Sequence, residues 1–234
     1  MRIDILTLFP EMFNEVFNES IIKRAKDEKK VEINIINFRN YTQDKHGKVD
    51  DTPYGGGAGM VLSVQPIYDC VKSLKKENSK VILLTPSGIP YRQSKAYELS
   101  KEEHLIIICG HYEGFDERVN SIVDLKISIG DYVLTGGEVP AMVITDSIVR
   151  LIPGVINEQS HLEDSFNDKH LLDYPTYTKP RCFNGMEVPE VLISGDHKKI
   201  DEWRKEKAYE ITKEVRPDLL IGDDKNEWNF KEKK

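Results

Sequence analysis

Apolar and polar positions along the chain form blocks that predict strands and helices in turn. Short apolar runs predict strands at residues 3–8, 31–37, 81–84, 105–109 and 124–129. Between them, apolar residues at helical spacing predict helices at 11–25, 64–76, 93–100 and 138–151, with 113–123 helical in part. Because strands and helices alternate through Leu151, the sequence predicts an α/β domain with a mostly parallel sheet.

Three of the predicted strands run into turns rich in glycine or proline. The strand at 81–84 is followed by the turn at 85–88, and the next two strands end at Gly110 and Gly130. Glycine lets a backbone turn sharply and come close to a ligand. Ligands of open parallel sheets bind beyond the carboxyl ends of the strands. We therefore expect a ligand site at these three strand ends.

A long polar segment at residues 40–60 carries four glycines between Gly55 and Gly59. It matches neither the GxGxxG pattern after a strand nor GxxxxGK[ST], so the two common nucleotide-binding patterns are absent from it. Such a segment is either a flexible surface linker or a loop that closes on a substrate, with Asp50, Asp51 and Tyr54 as polar contacts. The local sequence alone favours the linker.

The last third of the chain predicts a separate, smaller domain. We expect a first domain at 1–156, a flexible linker at 157–180, and a small, mainly helical domain with a charged tail at 181–234. Within it, residues 188–194 predict a short strand or turn, and residues 198–215 predict a helix capped by Asp196. Basic residues cluster on this helix, which by itself indicates a solvated face: Lys198, Lys199, Arg204, Lys205 and Lys207.

Composition narrows the class of protein. The chain has 234 residues and a net charge of −7, which argues against a generic nucleic-acid coat but allows a local basic face. Its three cysteines are far apart and form no CxxC, so neither a disulfide framework nor a zinc site is indicated. Asp4 interrupts the first apolar run, so no signal peptide is predicted. No apolar run approaches the roughly 20 residues needed to span a membrane. We expect a reducing, cytoplasmic compartment.

Several longer segments, in order over nearly the whole chain, carry a more specific pattern. They are LFPEMF at 8–13, VDDTPYGGGAGM at 49–60, VQP at 64–66, CGHYEGFDERV at 109–119, SIGDYVLTGGEVPAM at 128–142, DSIVRLIPGV at 146–155, EDSF at 163–166, LLDYPTYTKP at 171–180 and GMEVPEVLISGDH at 185–197. In these segments the chain resembles the bacterial tRNA (guanine-N1)-methyltransferases, the TrmD family of the knotted SPOUT class.

The resemblance implies a fold and an activity. It implies a deep trefoil knot at the C-terminal edge of the sheet, which no general rule of topology would predict. It also implies a homodimer whose active sites are each shared between subunits. The product would be 1-methylguanosine immediately 3′ of the anticodon in tRNA, which helps to maintain the reading frame.

The resemblance further implies that the knot loops hold S-adenosylmethionine, the methyl donor, in a bent form. The residues that it assigns to the methyl donor coincide with the three strand ends: Thr85, Pro86, Ser87, Gly88, Gly110, Tyr112, Glu113, Ser128, Ile129, Gly130, Asp131, Tyr132, Val133, Leu134, Gly136, Gly137 and Pro140. Glu113 would lie near the sulfonium of the methyl donor, or serve as a turn carboxylate that accepts nearby N–H groups.

The chemistry of guanine methylation requires a base and a cation. Guanine N1 carries a proton and is a poor nucleophile until that proton leaves, and the charge that then spreads to O6 needs a partner. The resemblance assigns the base to Asp164 and the O6 partner to Arg150. By position alone these would be a turn carboxylate and a helix-end residue. The residues that the resemblance places near the guanosine are Asp50, Tyr54, Gly55, Gly56, Gly57, Gly59 and Ser165.

Two residues depart from the family's pattern. His111 stands where the family often has arginine, and Ala58 replaces a proline, which should make the glycine loop more mobile. The resemblance also implies magnesium, although the sequence identifies no ligand cluster for a metal.

Two other functions remain open: a methyltransferase of the same fold that acts on another RNA, and a non-catalytic RNA-binding protein. The EDSF segment and Arg150 argue against the second, because a binding protein needs neither a base nor a cation there.

Overall fold

The computed structural model describes residues 1–157, 165–166 and 171–220. It divides into two compact units, Met1–Asn157 and Glu158–Lys234. The first unit contains strands β1 (Arg2–Thr7), β2 (Glu32–Asn37), β3 (Asp50–Asp51), β4 (Val61–Leu62), β5 (Ser79–Pro90), β6 (His104–Ile108) and β7 (Leu125–Ser128). Its helices are α1 (Asn14–Phe17), α2 (Ser20–Asp27), α3 (Val64–Leu74), α4 (Gln93–Leu99) and α5 (Glu138–Val149), with 3-10 turns at Pro10–Phe13, Phe38–Tyr41 and Glu117–Ile122.

Within residues 171–220, the second unit contains a short hairpin and one long helix. Strands β8 (Cys182–Phe183) and β9 (Met186–Glu187) pair antiparallel, and a 3-10 turn follows at Glu190–Ile193. Helix α6 spans His197–Val215, and a further 3-10 turn covers Pro217–Leu220. Asp196 caps α6 as predicted, since its side chain accepts the Lys199 N–H at 3.2 Å.

The first unit is built on a five-stranded sheet in the order β2–β1–β6–β5–β7, and every neighbouring pair is parallel. The predicted α/β architecture with a mostly parallel sheet is therefore confirmed. Strands β3 and β4 form a separate antiparallel pair on either side of residues 52–60, the glycine-rich part of the polar segment, which we call the polar loop. In the sheet order, β6, β5 and β7 are neighbours, so the turns at 85–88, Gly110 and Gly130 lie on adjacent strands.

Each face of the sheet carries its own hydrophobic core, which explains why the strands are almost continuously apolar. In β6, Leu105 and Ile107 belong to one core cluster, whereas Ile106 and Ile108 belong to the other. The first cluster also takes residues of α2, α4 and α5, and the second takes residues of α3. A parallel sheet covered on both faces needs apolar side chains at consecutive positions rather than at alternate ones.

The continuous helix predicted at residues 11–25 is wrong. The segment consists of a 3-10 turn, α1 and α2, and the break ends at Ser20, which has a φ of +53°. Phe17 and Ile22 both enter the same core cluster. In one unbroken helix these positions would point about 140° apart, because each residue advances by about 100°. The break changes the register so that both can be buried.

The turn predicted after Leu84 does not end β5. Both Leu84 and Ile89 pair with Ile127 of β7, and residues 85–88 loop out between them. A Cβ atom on Gly88 would lie 2.5 Å from the backbone of Ile127. The glycine therefore allows the returning strand to cross close to β7, and the predicted turn is a bulge within one strand.

The strands meet at a buried polar cluster near their amino-terminal ends. The Asp4 carboxylate is fully buried and accepts hydrogen bonds from Arg2 Nε at 3.0 Å and Asn34 Nδ2 at 2.9 Å. His104 Nε2 lies 3.0 Å from the same carboxylate, and its Nδ1 lies 2.7 Å from Ser79 Oγ. Burial by itself raises the pKa of Asp4, but the hydrogen bonds outweigh it and leave the pKa below its ordinary value.

Candidate functional site

A cavity of about 290 Å³ lies beside the bulge of β5 and the carboxyl ends of β6 and β7, and we call it the strand-end cavity. It is lined by residues 84–86, 110–115, 127–130, 132–137 and 140. This is the edge at which ligands of parallel sheets bind. All the residues that the resemblance assigned to the methyl donor line the cavity, except Ser87, Gly88 and Asp131. Their role in binding stays a prediction.

Six lining residues were missed by the sequence-based assignment: Leu84, His111, Gly114, Phe115, Ile127 and Thr135. Five of them lie next to an assigned residue in the chain, and Phe115 lies two residues after Glu113, so proximity in the sequence was the signal that could have found them. His111 packs its ring against Phe9 at 4.8 Å and against Tyr112 at 5.0 Å between centroids. Its Nδ1 atom is buried and has no hydrogen-bond partner in the described part of the chain.

Glycine backbones form the tightest part of the cavity wall. The Gly137 N–H donates to the Gly110 carbonyl oxygen at 2.8 Å. A Cβ atom on Gly137 would lie 2.7 Å from both Cys109 Cα and Gly110 N. A Cβ atom on Gly110 would lie 2.8 Å from the Phe115 ring. The end of β6 therefore touches the beginning of α5 through backbone atoms, with no room for side chains.

The turn that follows β7 forms another part of the cavity wall, and hydrogen bonds within the turn hold it in place. The Ser128 hydroxyl lies 3.1 Å from the Gly130 carbonyl oxygen and also accepts the Gly130 N–H at 3.3 Å. The Tyr132 N–H donates to the Gly130 carbonyl oxygen at 3.0 Å. Beyond this turn, Tyr132, Val133 and Leu134 are exposed apolar side chains on the rim of the cavity.

Glu138 is a buried carboxylate immediately behind this wall, and the sequence-based assignment missed it. Its side chain accepts the Thr7 hydroxyl at 2.8 Å, and Thr7 Oγ1 accepts the Phe9 N–H at 2.9 Å. Only 3% of Glu138 is exposed. The neighbouring Cys109 thiol has a pKa well above its usual range, chiefly because of burial and also because of the Glu138 charge. That thiol therefore stays protonated.

The polar loop meets the strand-end cavity at one point. Its glycines Gly55, Gly56, Gly57 and Gly59 all have positive φ, and Tyr54 is fully exposed. None of these residues, nor Asp50 in β3, lines the cavity. A Cβ atom on Gly59 would lie 2.4 Å from Glu113 Cγ, and the Glu113 N–H donates to the Met60 carbonyl oxygen at 3.0 Å. The loop therefore ends against the wall that Glu113 provides.

Of the two predicted catalytic residues, only Arg150 lies in the part of the chain that the structure describes. Arg150 follows the last residue of α5, is half-buried, and donates its N–H to the Asp146 carbonyl oxygen at 3.2 Å. Asp164 lies outside the described residues. In the second unit, Ser165 Oγ accepts the Asp173 N–H at 2.9 Å. The catalytic roles of Asp164 and Arg150 and the guanosine contact of Ser165 stay predictions.

Two negative findings apply to residues 1–157, 165–166 and 171–220. In these ranges no group of three or more His, Cys, Asp or Glu side chains is arranged to hold a metal ion. None of the helices in the same ranges is long and apolar enough to cross a membrane.

Comparison with known proteins gives one consistent answer. The family model described as tRNA (Guanine-1)-methyltransferase TrmD matches residues 1–222. The chain is 56% identical over 220 residues to the tRNA (guanine-N(1)-)-methyltransferase of Dictyoglomus turgidum, which covers 94% of this chain and 90% of that protein. It is 57% identical over 225 residues to the proteins of the same name from Bacillus cereus and Bacillus anthracis, covering 94% of this chain and 92% of each. The chain therefore belongs to the TrmD family of tRNA (guanine-1)-methyltransferases.

Proposed function

We propose that this chain transfers the methyl group of S-adenosylmethionine to N1 of the guanosine immediately 3′ of the anticodon in tRNA. The match of the family model to residues 1–222 carries the proposal. The relatives compared above bear the name of this activity. A tRNA substrate would place the reaction in the cytoplasm, and the 1-methylguanosine formed would help to maintain the reading frame.

The strand-end cavity suits S-adenosylmethionine, which supplies a methyl group on a positively charged sulfur atom. Its glycine walls let a nucleoside approach backbone N–H and C=O groups, which can hold the edge of an adenine. Lysine and arginine are absent from the residues that line it, whereas Glu113 offers a carboxylate. Small-molecule sites are concave, partly apolar clefts with a few polar groups, and this cavity has that character.

Two residues of the chain would take the proton from guanine N1 and stabilise the negative charge that develops on the base. Asp164 would take the proton from guanine N1, and the freed lone pair would then form the bond to the methyl carbon. Arg150 would stabilise the negative charge that spreads to O6. Both roles rest on the match to the EDSF segment and to the segment at 146–155. We expect general-base catalysis of this kind to contribute roughly 10²–10⁴-fold to the rate.

The polar loop would hold the guanosine itself. A base must leave its stack before an enzyme can act on it, and the loop ends beside the cavity wall at Gly59. Four positive-φ glycines give the loop a backbone that can follow a flipped nucleotide closely. Asp50 and Tyr54 would supply polar and stacking contacts.

Helix α6 would contact tRNA phosphates, and its ion pairs indicate which lysines do so. Three of its five clustered basic residues already have partners on or beside the helix: Lys199 with Asp196 at 3.0 Å, Arg204 with Asp201 at 3.7 Å, and Lys207 with Glu210 at 2.5 Å. Lys198 and Lys205 have no ion pair within the described ranges. They are seven residues apart and so share a face, which suits them to phosphates.

A second copy of the chain would cover an apolar patch on the first unit. Val139 and Val143 are exposed one turn apart on α5, although their helix is otherwise a core element. Met12 and Val16 are exposed on the turn and helix at 10–17, part of which packs against α5. Exposed apolar side chains on neighbouring elements suit an interface between identical subunits, as the family resemblance implies.

The function is tested by mapping the methylated nucleoside. A tRNA transcript with guanosine 3′ of the anticodon and a matched transcript with adenosine there are incubated with the protein and S-adenosylmethionine. We expect 1-methylguanosine at that position in the first transcript and no methylation of the second. Methylation of both transcripts at another position would instead identify a methyltransferase for a different site, and methylation of neither would contradict the proposal.

A further inference from the structure

The carboxylate of Glu138 lies next to the strand-end cavity but does not line it. Gly136, Gly137 and Pro140 line the cavity, and Glu138 lies between them in the chain. Its Oε2 atom lies only 2.4 Å from the position that a Cβ atom on Gly136 would occupy. A single glycine therefore separates the carboxylate from the cavity. Any bound molecule that contacts Gly136 comes close to this carboxylate.

The environment of Glu138 holds its charge in place and shields it from water. The Thr7 hydroxyl donates to Oε1, and Glu138 is the first residue of α5, where the positive end of the helix dipole attracts negative charge. Only 3% of the surface of Glu138 is exposed to solvent. A charge in such surroundings acts more strongly on a neighbouring charge than an exposed one does. By contrast, the Glu113 carboxylate is on an exposed residue.

We propose that Glu138 is the fixed negative charge that makes the strand-end cavity prefer the cationic methyl donor to its neutral product. The inference rests on the proposed function, because it presupposes that S-adenosylmethionine binds in this cavity. S-adenosylmethionine carries a sulfonium, whereas S-adenosylhomocysteine carries a neutral thioether in an otherwise equal structure. A buried anion attracts the first and has no such effect on the second.

This preference would serve turnover. When the methyl group leaves, the electron pair of the broken C–S bond stays on sulfur and the positive charge disappears. The attraction to Glu138 is then lost, which favours exchange of product for new methyl donor. Because the attraction is strongest before the charge disperses, it lowers KM rather than raising kcat.

The decisive experiment is titration calorimetry of Glu138→Gln with three ligands. Glutamine keeps the shape and an oxygen that can accept the Thr7 hydroxyl, but it carries no charge. The ligands are S-adenosylmethionine, S-adenosylhomocysteine, and sinefungin, whose amine puts a positive charge where the sulfonium stands. We expect affinity for both cationic ligands to fall by roughly tenfold and affinity for S-adenosylhomocysteine to change by less than roughly twofold.

Three control variants separate charge from structure. Thr7→Val breaks the same hydrogen bond but keeps the carboxylate, so the preference for cationic ligands should persist. Glu113→Gln removes the exposed carboxylate on the wall and should shift the preference less than Glu138→Gln does. Glu15→Gln removes an exposed carboxylate of α1 and should leave all three affinities unchanged.

The proposal is overturned if Glu138→Gln weakens charged and neutral ligands equally, or if Thr7→Val abolishes the preference as fully as Glu138→Gln does. If Glu138→Gln does not fold, the salt dependence of ligand binding to the wild-type protein still tests the proposal. A buried charge is screened little by salt, so its preference for S-adenosylmethionine over S-adenosylhomocysteine should survive roughly 1 M salt. Loss of that preference in salt would assign it to an exposed group. Failure of the wild-type protein to bind any of the ligands would contradict the proposed function instead.

Discussion

Replacement of Gly137 by alanine tests the close contact between the end of β6 and the start of α5. Gly137 has a φ of −83°, which alanine adopts readily, so the change introduces no backbone strain. The added Cβ atom would lie 2.7 Å from both Cys109 Cα and Gly110 N. Those atoms directly follow β6, the central strand of the sheet, and the Cys109 N–H donates to the Leu6 carbonyl oxygen at 2.9 Å, so a shift of this backbone is costly.

Overpacking against rigid neighbours costs about 1–3 kcal/mol, and two backbone contacts place Gly137→Ala near the upper end, about 3 kcal/mol. For a protein of this size the melting temperature should fall by roughly 6–12 °C. Because α5 must shift away from Gly110, affinity for S-adenosylmethionine should fall by at least roughly tenfold. Differential scanning calorimetry and titration calorimetry measure the two effects.

Gly47→Ala is the matched control. Its nearest neighbour would be Arg39 Cδ at 4.0 Å, so space is available, but its φ of +72° is unfavourable for alanine. We expect a loss of about 1 kcal/mol from backbone strain and no change in affinity for S-adenosylmethionine. The reasoning fails if Gly137→Ala melts and binds like the wild-type protein, or if Gly47→Ala weakens the ligand as much.

The remaining predictions address the base, the buried cluster, the tRNA contact and the dimer. Asp164→Ala should keep its affinity for S-adenosylmethionine and lose methyl transfer by roughly 10²–10⁴-fold in single-turnover assays; near-normal turnover would exclude Asp164 as the base. Because the pKa of Asp4 is lowered on folding, its stabilisation is present at neutral pH and is lost as the pH falls below about 4, where the unfolded chain takes up the proton first. Asp4→Asn should therefore reduce the free energy of unfolding at pH 7 by roughly 3 kcal/mol and flatten its decline in acid, which urea unfolding at several pH values would measure. Lys198→Glu combined with Lys205→Glu should weaken tRNA binding and reduce its salt slope by roughly 2, whereas an unchanged slope would place the phosphate contacts elsewhere. Because Val143 lies in the apolar patch proposed as a dimer interface, Val143→Asp should yield monomers in analytical ultracentrifugation, and a dimer of the variant would show that α5 is not at the interface.

Much of the first unit follows from its sequence pattern, because a parallel sheet covered on both faces leaves a strong signature. The strands at 105–109 and 124–129 were predicted to within about a residue, since consecutive buried positions give unbroken apolar runs. The glycines at their ends indicated the edge at which the strand-end cavity lies. That inference needed only the rule that ligands of parallel sheets bind beyond the carboxyl ends of strands.

The predictions from sequence that proved wrong concern segments whose local structure depends on distant parts of the chain. The break before Ser20 is set by the need to bury Phe17 and Ile22 in one core, which helical periodicity alone does not reveal. The resumption of β5 after Gly88 depends on β7, whose backbone Gly88 approaches. The hairpin of β8 and β9 is different, because its signal was local. Asn184 and Gly185 have the positive φ values that favour a two-residue turn, and the Asn-Gly pair could have been recognised.

The candidate site was predictable only where its residues leave a local sequence pattern. Glycine-rich strand ends mark a binding edge, but no local pattern shows that Glu138 bonds to Thr7, because 131 residues separate them. The roles of Asp164 and Arg150 came from motif similarity and not from any physical pattern, since a carboxylate in a polar segment and an arginine after a helix are common on protein surfaces.

The sheet order has a consequence for synthesis of the protein. Strand β1 lies between β2 and β6, and its pairing with β6 joins Arg2 to His104. At about 5–20 residues per second, a ribosome needs roughly 5–20 s to make the intervening chain. During that time one edge of the first strand has no partner from its own sheet, and an unpaired apolar edge is open to pairing with other chains. Nascent chains should therefore depend most on chaperones before β6 emerges from the ribosome.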